Sequence, residues 1–228
     1  MARSETVTAH PYASQIRFLL QAALLIFAYT VVIGILNGTD LIDFGHKTLL
    51  THVHTGTLGW ITTSVFAAAL WLFGETRASG WRDSFARNLP WVTVLAVVAY
   101  NIVFFTTFGT ARPTIGGFML LVIVGWIIWI YGSSGSSVLS VPRLGVLAAV
   151  TTLTFGGLLG VLLGVMIATG NDILPGEAYD SHPATMVIGF LIPVGMALAE
   201  WNVRPELLEV RATRSGWLQI GLPFIGGI

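Results

Sequence analysis

The chain has 228 residues, 54% of them hydrophobic and only 10% charged, where a soluble domain carries about 25% charged residues. No water-soluble fold of this size hides that much apolar surface, so the long apolar runs specify an all-α polytopic membrane protein. A net charge of zero excludes a nucleic-acid partner, and the absence of cysteine excludes disulfides, iron–sulfur clusters and thiolate ligands.

Residues 1–15 form a polar lead containing His10, expected to be cytoplasmic. The first apolar run is long enough to span and is not bounded like a cleavable signal peptide. Apolar runs predict six spans over residues 16–37, 49–73, 90–108, 113–132, 142–170 and 183–202, which together make a transmembrane domain over 16–202. Pro90, Pro113, Pro142 and Pro183 stand at or just before span starts, where a missing N–H costs least, and Pro193 is expected to kink span six. Residues 203–228 are a polar loop followed by an apolar stretch, Trp217–Ile228. At 12 residues that stretch is too short to cross, and reads as interfacial or as part of a seventh helix.

Charge sets the expected orientation. With the N-terminus inside, Arg3, Arg17, Arg77, Arg82, Arg87, Arg143, Arg204, Arg211 and Arg214 face the cytoplasm, and only Lys47 and Arg112 face outward. The expected location is the plasma membrane. The basic loop 75–89 reads as a topology determinant that meets anionic headgroups, and residues 132–137 as a Gly/Ser turn. Asn101, beside Tyr100 in span three, is expected to bond a neighbouring helix. Gly156, Gly160 and Gly164 make a small-residue ridge for close helix contact, within the chain or in a homo-oligomer.

One frame recurs. His52 to Trp71 (HVHTGTLGWITTSVFAAALW) and His182 to Trp201 (HPATMVIGFLIPVGMALAEW) both fit His-x6-Gly-aromatic-x10-Trp, with Thr55 and Thr185 in register. A fainter copy runs from Thr110 to Trp129, with threonine in place of histidine. Nineteen steps of ~1.5 Å make roughly 28 Å, close to one bilayer core. GTDLI at 38–42 and GNDIL at 170–174 extend the likeness, so the chain reads as three pseudo-repeated helix hairpins.

Four of the five histidines, His46, His52, His54 and His182, fall at the outer end. Neutral imidazole is a common metal ligand, and facing helices can clamp a haem iron, which makes His52, His54 and His182 the candidate metal ligands. Gly56 and Gly59 follow His52 on one α-helical face, and Gly189 follows His182 at the same offset. They offer bare patches for a flat macrocycle and favour His52 over His54, which points about 200° away. Arg112 and Lys47 are placed to meet haem propionates, Arg112 by a two-bond grip. Asp180 and Ser181 either buttress His182 or cap span six. The bland reading makes the histidines polar end-residues, the glycines packing notches and the tryptophans interfacial anchors.

The pattern H-x-H-x4-G-W (His52 to Trp60) on span two, with His182 on span six, resembles the haem–copper oxidase subunit I superfamily, closest to small proteins of its C-type oxidase and nitric-oxide reductase branch. The resemblance implies a low-spin haem b near the outer face, held by His52 or His54 and by His182. It also implies electron transfer, or binding of nitric oxide or dioxygen, and respiratory-complex subunits as partners. The chain departs from the family in offering four outer histidines where a full core needs six, and no mid-membrane acidic residue. Oxidase activity with proton pumping is therefore not expected. The rival readings are a non-enzymatic protein that handles or delivers haem or copper, and a cofactor-free structural subunit.

Overall fold

The computed structural model describes residues 10–107, 109–135 and 137–228; the remainder of the polar lead, Phe108 and Ser136 lie outside the described residues. Six helices are long and apolar enough to cross a membrane, and no strand occurs among the described residues. They are α1 (Ala13–Gly38), α2 (His46–Phe73), α3 (Trp81–Thr106), α4 (Ala111–Ser134), α5 (Val141–Thr169) and α6 (Ala178–Val203). A 3₁₀ turn (Pro205–Glu209) then leads to a short helix, α7 (Arg214–Gly226). The chain is a multi-pass, all-α membrane protein.

Several helices start earlier than the sequence suggests. α3 begins at Trp81, so half of the expected 75–89 loop is helical and Pro90 lies inside the helix. Proline there removes one bond to the Ala86 carbonyl. The extra turns are held by Asp83, which pairs with Arg87 at 2.9 Å along the helix and takes a bond from Tyr12 Oη at 3.2 Å. α6 likewise begins at Ala178 with Pro183 inside it, and α4 runs on through residues 132–134, which the sequence suggests as turn.

α2 is the central helix. It packs on α1, α3, α4 and α5, and 56% of its most apolar window is buried, against 17% for α1. Phe66 of α2 stacks on Trp126 of α4 with ring centroids 4.6 Å apart, and Trp126 Nε1 donates to Thr93 of α3 at 2.7 Å. Asn101 stands 2.5 Å from Thr55 Oγ1 of α2, the interhelical role expected of it. The many exposed leucines and isoleucines of α1, α3 and α7 face outward, where lipid replaces a protein partner.

The end of the bundle opposite His52, His54 and His182 is closed by Arg143, which is 1% exposed. Its Nε donates to the Leu72 carbonyl at 3.0 Å, and its Nη1 to the carbonyls of Val138 at 3.1 Å and Leu208 at 3.0 Å. Its Nη2 reaches Glu75 at 2.5 Å and Glu209 at 3.5 Å. All five N–H groups are thereby used, which is what allows a guanidinium to be buried. α7 rises from this end along α5: Gly216 lies against Val141, while Gly227 meets Gly189 of α6 beside Thr152. Val141 to Thr152 is ~16 Å of helix, so the C-terminal apolar stretch climbs into the bundle and does not lie flat at the interface.

Candidate functional site

Both copies of the sequence frame carry a π-helical segment in the same register, Thr55–Ile61 in α2 and Thr185–Leu191 in α6. Each starts three residues after the frame's first histidine. In α2 the Thr57 carbonyl accepts the Thr62 backbone N–H, and the Thr62 hydroxyl at 2.8 Å. In α6 the segment ends two residues before Pro193, whose missing N–H relaxes the α-helical ladder at that point. A wide turn rotates everything above it relative to the packed half below, and such turns recur at functional sites.

The two histidines of α2 diverge. His52 turns to α1, where its Nδ1 lies 2.8 Å from Thr30 Oγ1. A Cβ on Gly34 would stand 3.3 Å from its Cε1. His54 turns inward, with its ring 4.5 Å from that of Phe104 and 5.9 Å from that of Tyr100. Its Nδ1 lies 2.8 Å from the Leu50 carbonyl.

His182 is seated on α5. Its Nδ1 lies 3.0 Å from the Gly156 carbonyl, and a Cβ on Gly160 would stand 2.8 Å from its Cε1. The glycine ridge of α5 is thus an internal device: Gly156 faces Met186, Gly160 receives the imidazole, and Gly164 abuts Pro113 of α4. His52 and His182 are seated alike. The helix ahead supplies a partner for Nδ1, and a glycine one turn later makes room for the ring.

His54, His182 and Arg112 lie within electrostatic reach of one another at one end of the bundle, and Arg112 also of Tyr100. Among the described residues α2 and α6 are not joined by extended packing, so this influence acts across an interval between helices. A carbonyl oxygen only accepts, which places the proton of both His54 and His182 on Nδ1. Each Nε2 keeps its lone pair, the form in which a neutral imidazole binds metal, and the carbonyl fixes ring and tautomer.

The other predicted residues are distributed as follows. Gly56 lines the α1–α2 groove beside His52, with Thr30 Oγ1 and Trp60 Nε1 both 3.9 Å from where its Cβ would be. Gly59 is closed by Ile26, 2.6 Å from such a Cβ, and by Val97, while Gly189 is closed by Thr152 and Gly227. Those two are packing notches and not bare patches, because the wide turn breaks the α-helical face that linked them to the histidines. For the same reason the structure brings His54, and not His52, towards His182. Arg112 donates to the Phe104 carbonyl at 2.7 Å and lies 4.8 Å from the centroid of that ring, which also packs His54. Lys47 lies 5.7 Å over Phe105. His46 is exposed at the start of α2. Asp180 and Ser181 neither contact the His182 ring nor cap α6; Ser181 donates back to the Glu177 carbonyl at 2.9 Å.

Sequence reasoning missed Thr30, Gly34 and Thr62. Gly160 was visible only as part of a ridge, and its role needs the neighbouring helix to be placed. Among the described residues no three His, Cys, Asp or Glu side chains converge into a metal-ligand group. No family model, characterised protein or solved structure matches this chain.

Proposed function

We propose that this chain is a haem b-binding membrane protein related to haem–copper oxidase subunit I, with His54 and His182 as the pair that holds the haem. The observation that carries the reading is that these two histidines lie within electrostatic reach of each other at one end of the bundle, each with Nδ1 committed to a backbone carbonyl. A haem held there would supply one-electron chemistry or a binding site for nitric oxide or dioxygen. Arg112 would neutralise the carboxylates of such a haem, and Lys47 would act as a point-charge second. Phe104 and Tyr100 exclude water from the His54 side.

The arginine distribution supports an orientation with the N-terminus inside and the histidine end outside, in a plasma membrane. Electron transfer would then run near the outer face, alongside respiratory subunits or a second copy of the chain. The test is the haem content of protein purified from cells supplied with haem. One haem per chain, with a Soret band, is expected; protein that never acquires a Soret band refutes the reading.

A further inference from the structure

A groove of about 530 Å³ runs between α1 and α2 on the side of α2 away from His54. Val53 and Ile35, 57% and 56% exposed, flank it, so it opens sideways to lipid. Phe27 and Trp60, with ring centroids 4.8 Å apart, meet at its deep end, about two helical turns from Gly34 and His52. At its shallow end His52 lies against Gly34, one turn before α1 ends. The hairpin loop 39–45 joins the two helices at that end. Leu41 and Ile42 both donate their N–H to the Leu36 carbonyl, which folds the loop back onto the end of α1. The loop carries Asp40 and Asp43, both exposed, on either side of exposed Leu41 and Ile42. Among the described residues neither carboxylate is in an ion pair, and the nearby Lys47 lies over Phe105 on the α3 side.

The polar atoms of the groove have fixed roles. Thr30 Oγ1 donates to the His52 carbonyl at 3.2 Å and lies 2.8 Å from His52 Nδ1. Both contacts are satisfied together only when Nδ1 carries the imidazole proton, so Nε2 is an acceptor. Trp60 supplies a donor one turn deeper, its Nε1 lying 3.9 Å from where a Cβ on Gly56 would be. From the shallow end inward the groove therefore offers two carboxylates, an imidazole acceptor, an indole donor and then an apolar floor.

We infer that this groove holds one membrane phospholipid whose head group carries a primary ammonium. The ammonium donates to His52 Nε2 and faces Asp40 and Asp43, an ester carbonyl accepts from Trp60, and one acyl chain lies along Val31, Phe27 and Ile61. Charge and hydrogen bonding select this head. A trimethylammonium has no N–H to give and leaves the imidazole without a donor, and an anionic head meets two carboxylates of its own sign. The site uses neither His54 nor His182, so it stands or falls separately from the haem reading.

The test is native mass spectrometry of the full chain released from nanodiscs of equimolar phosphatidylethanolamine, phosphatidylcholine and phosphatidylglycerol with identical acyl chains. One phosphatidylethanolamine per chain should survive detergent stripping, retained about tenfold over either of the others, because each of those loses one charge-assisted hydrogen bond. His52→Phe should remove most of that preference. Gly56→Leu, whose Cβ meets Thr30 and Trp60 only at 3.9 Å, should abolish retention by filling the groove. Should His52→Phe lose its helical circular dichroism, Gly56→Leu and the comparison of the three lipids still decide. No retained lipid, equal retention of the three, preference for either of the other two, or wild-type behaviour of a folded variant would each overturn the proposal.

Discussion

His54 and His182 lie within electrostatic reach of each other on helices that share no extended packing, and each ring is held through Nδ1 by a main-chain carbonyl, Leu50 for one and Gly156 for the other. His52, two residues away, is turned to Thr30 on α1. His54→Ala and His182→Ala should therefore each convert bound haem to five-coordinate or lose it, while His52→Ala retains it. The apolar spans are unchanged in all three, so membrane insertion should persist. Absorption spectra of the three purified variants check this, and loss of haem in His52→Ala alone would reverse the ligand assignment.

Arg112 sits beside Phe104, against which His54 packs. Removing its charge near a haem would leave propionates without a cationic partner in a poorly solvated place. Arg112→Gln should reduce haem retention during detergent washing and shift the midpoint potential, with Arg112→Lys intermediate because it keeps charge but not the two-bond fork. Equal retention and potential in all three proteins would reduce Arg112 to an interfacial anchor that holds the Phe104 carbonyl.

Thr62 is wholly buried and bonds the Thr57 carbonyl across the wide turn of α2. Thr62→Val keeps the shape and loses the hydroxyl bond, a cost of about 1 kcal/mol. The thermal unfolding midpoint should fall accordingly, and Thr62→Ser should restore most of it. An unchanged midpoint in Thr62→Val would mean that helix packing alone sets the turn.

Arg143 gathers the Leu72, Val138 and Leu208 carbonyls, whereas its acidic partners Glu75 and Glu209 are 44% and 68% exposed. Solvated carboxylates lose little when an ion pair breaks, but buried carbonyls left without a donor cost at least about 1 kcal/mol each. Arg143→Met should thus destabilise by roughly 3 kcal/mol, and Glu75→Gln by under about 1 kcal/mol. Thermal melts of the two variants compare them; equal losses would contradict the assignment of the stability to the carbonyls.

His10 stacks on Trp71 with ring centroids 5.0 Å apart, and burial holds its pKa below the ordinary value of 6.5, partly offset by the Trp71 carbonyl and Glu75. The unfolded chain takes up the proton first as pH falls, so this contact loses stability below pH 6.5 and regains it as pH rises. Trp71 fluorescence, followed in a variant whose other tryptophans are replaced by phenylalanine, should change on acidification through that window. The further change His10→Phe should remove the response.

Fold class and number of spans were legible because composition and apolar run length follow directly from the solvent the helices must meet. Helix starts were less so. Pro90 and Pro183 mark boundaries only where nothing else holds the preceding turn, and Tyr12 with Asp83 holds it for α3. The recurrence of the His-Gly-Trp frame was legible and reappears as two π segments in one register. What a sequence written at 3.6 residues per turn cannot show is the wide turn itself, and with it which of His52 and His54 faces inward. Arg143 was counted as one more inner cation. Its hub depends on three chain segments far apart in sequence, which only the packed bundle brings together.

Two imidazoles at one end of the bundle are proposed to hold one haem. The most direct measurement is the dithionite-reduced minus air-oxidised visible spectrum of the purified wild-type chain. Two sharp reduced bands beside a Soret band, typical of a six-coordinate haem b, are predicted. A protein that takes up no haem, or a broad five-coordinate spectrum that neither His54→Ala nor His182→Ala alters, would contradict it.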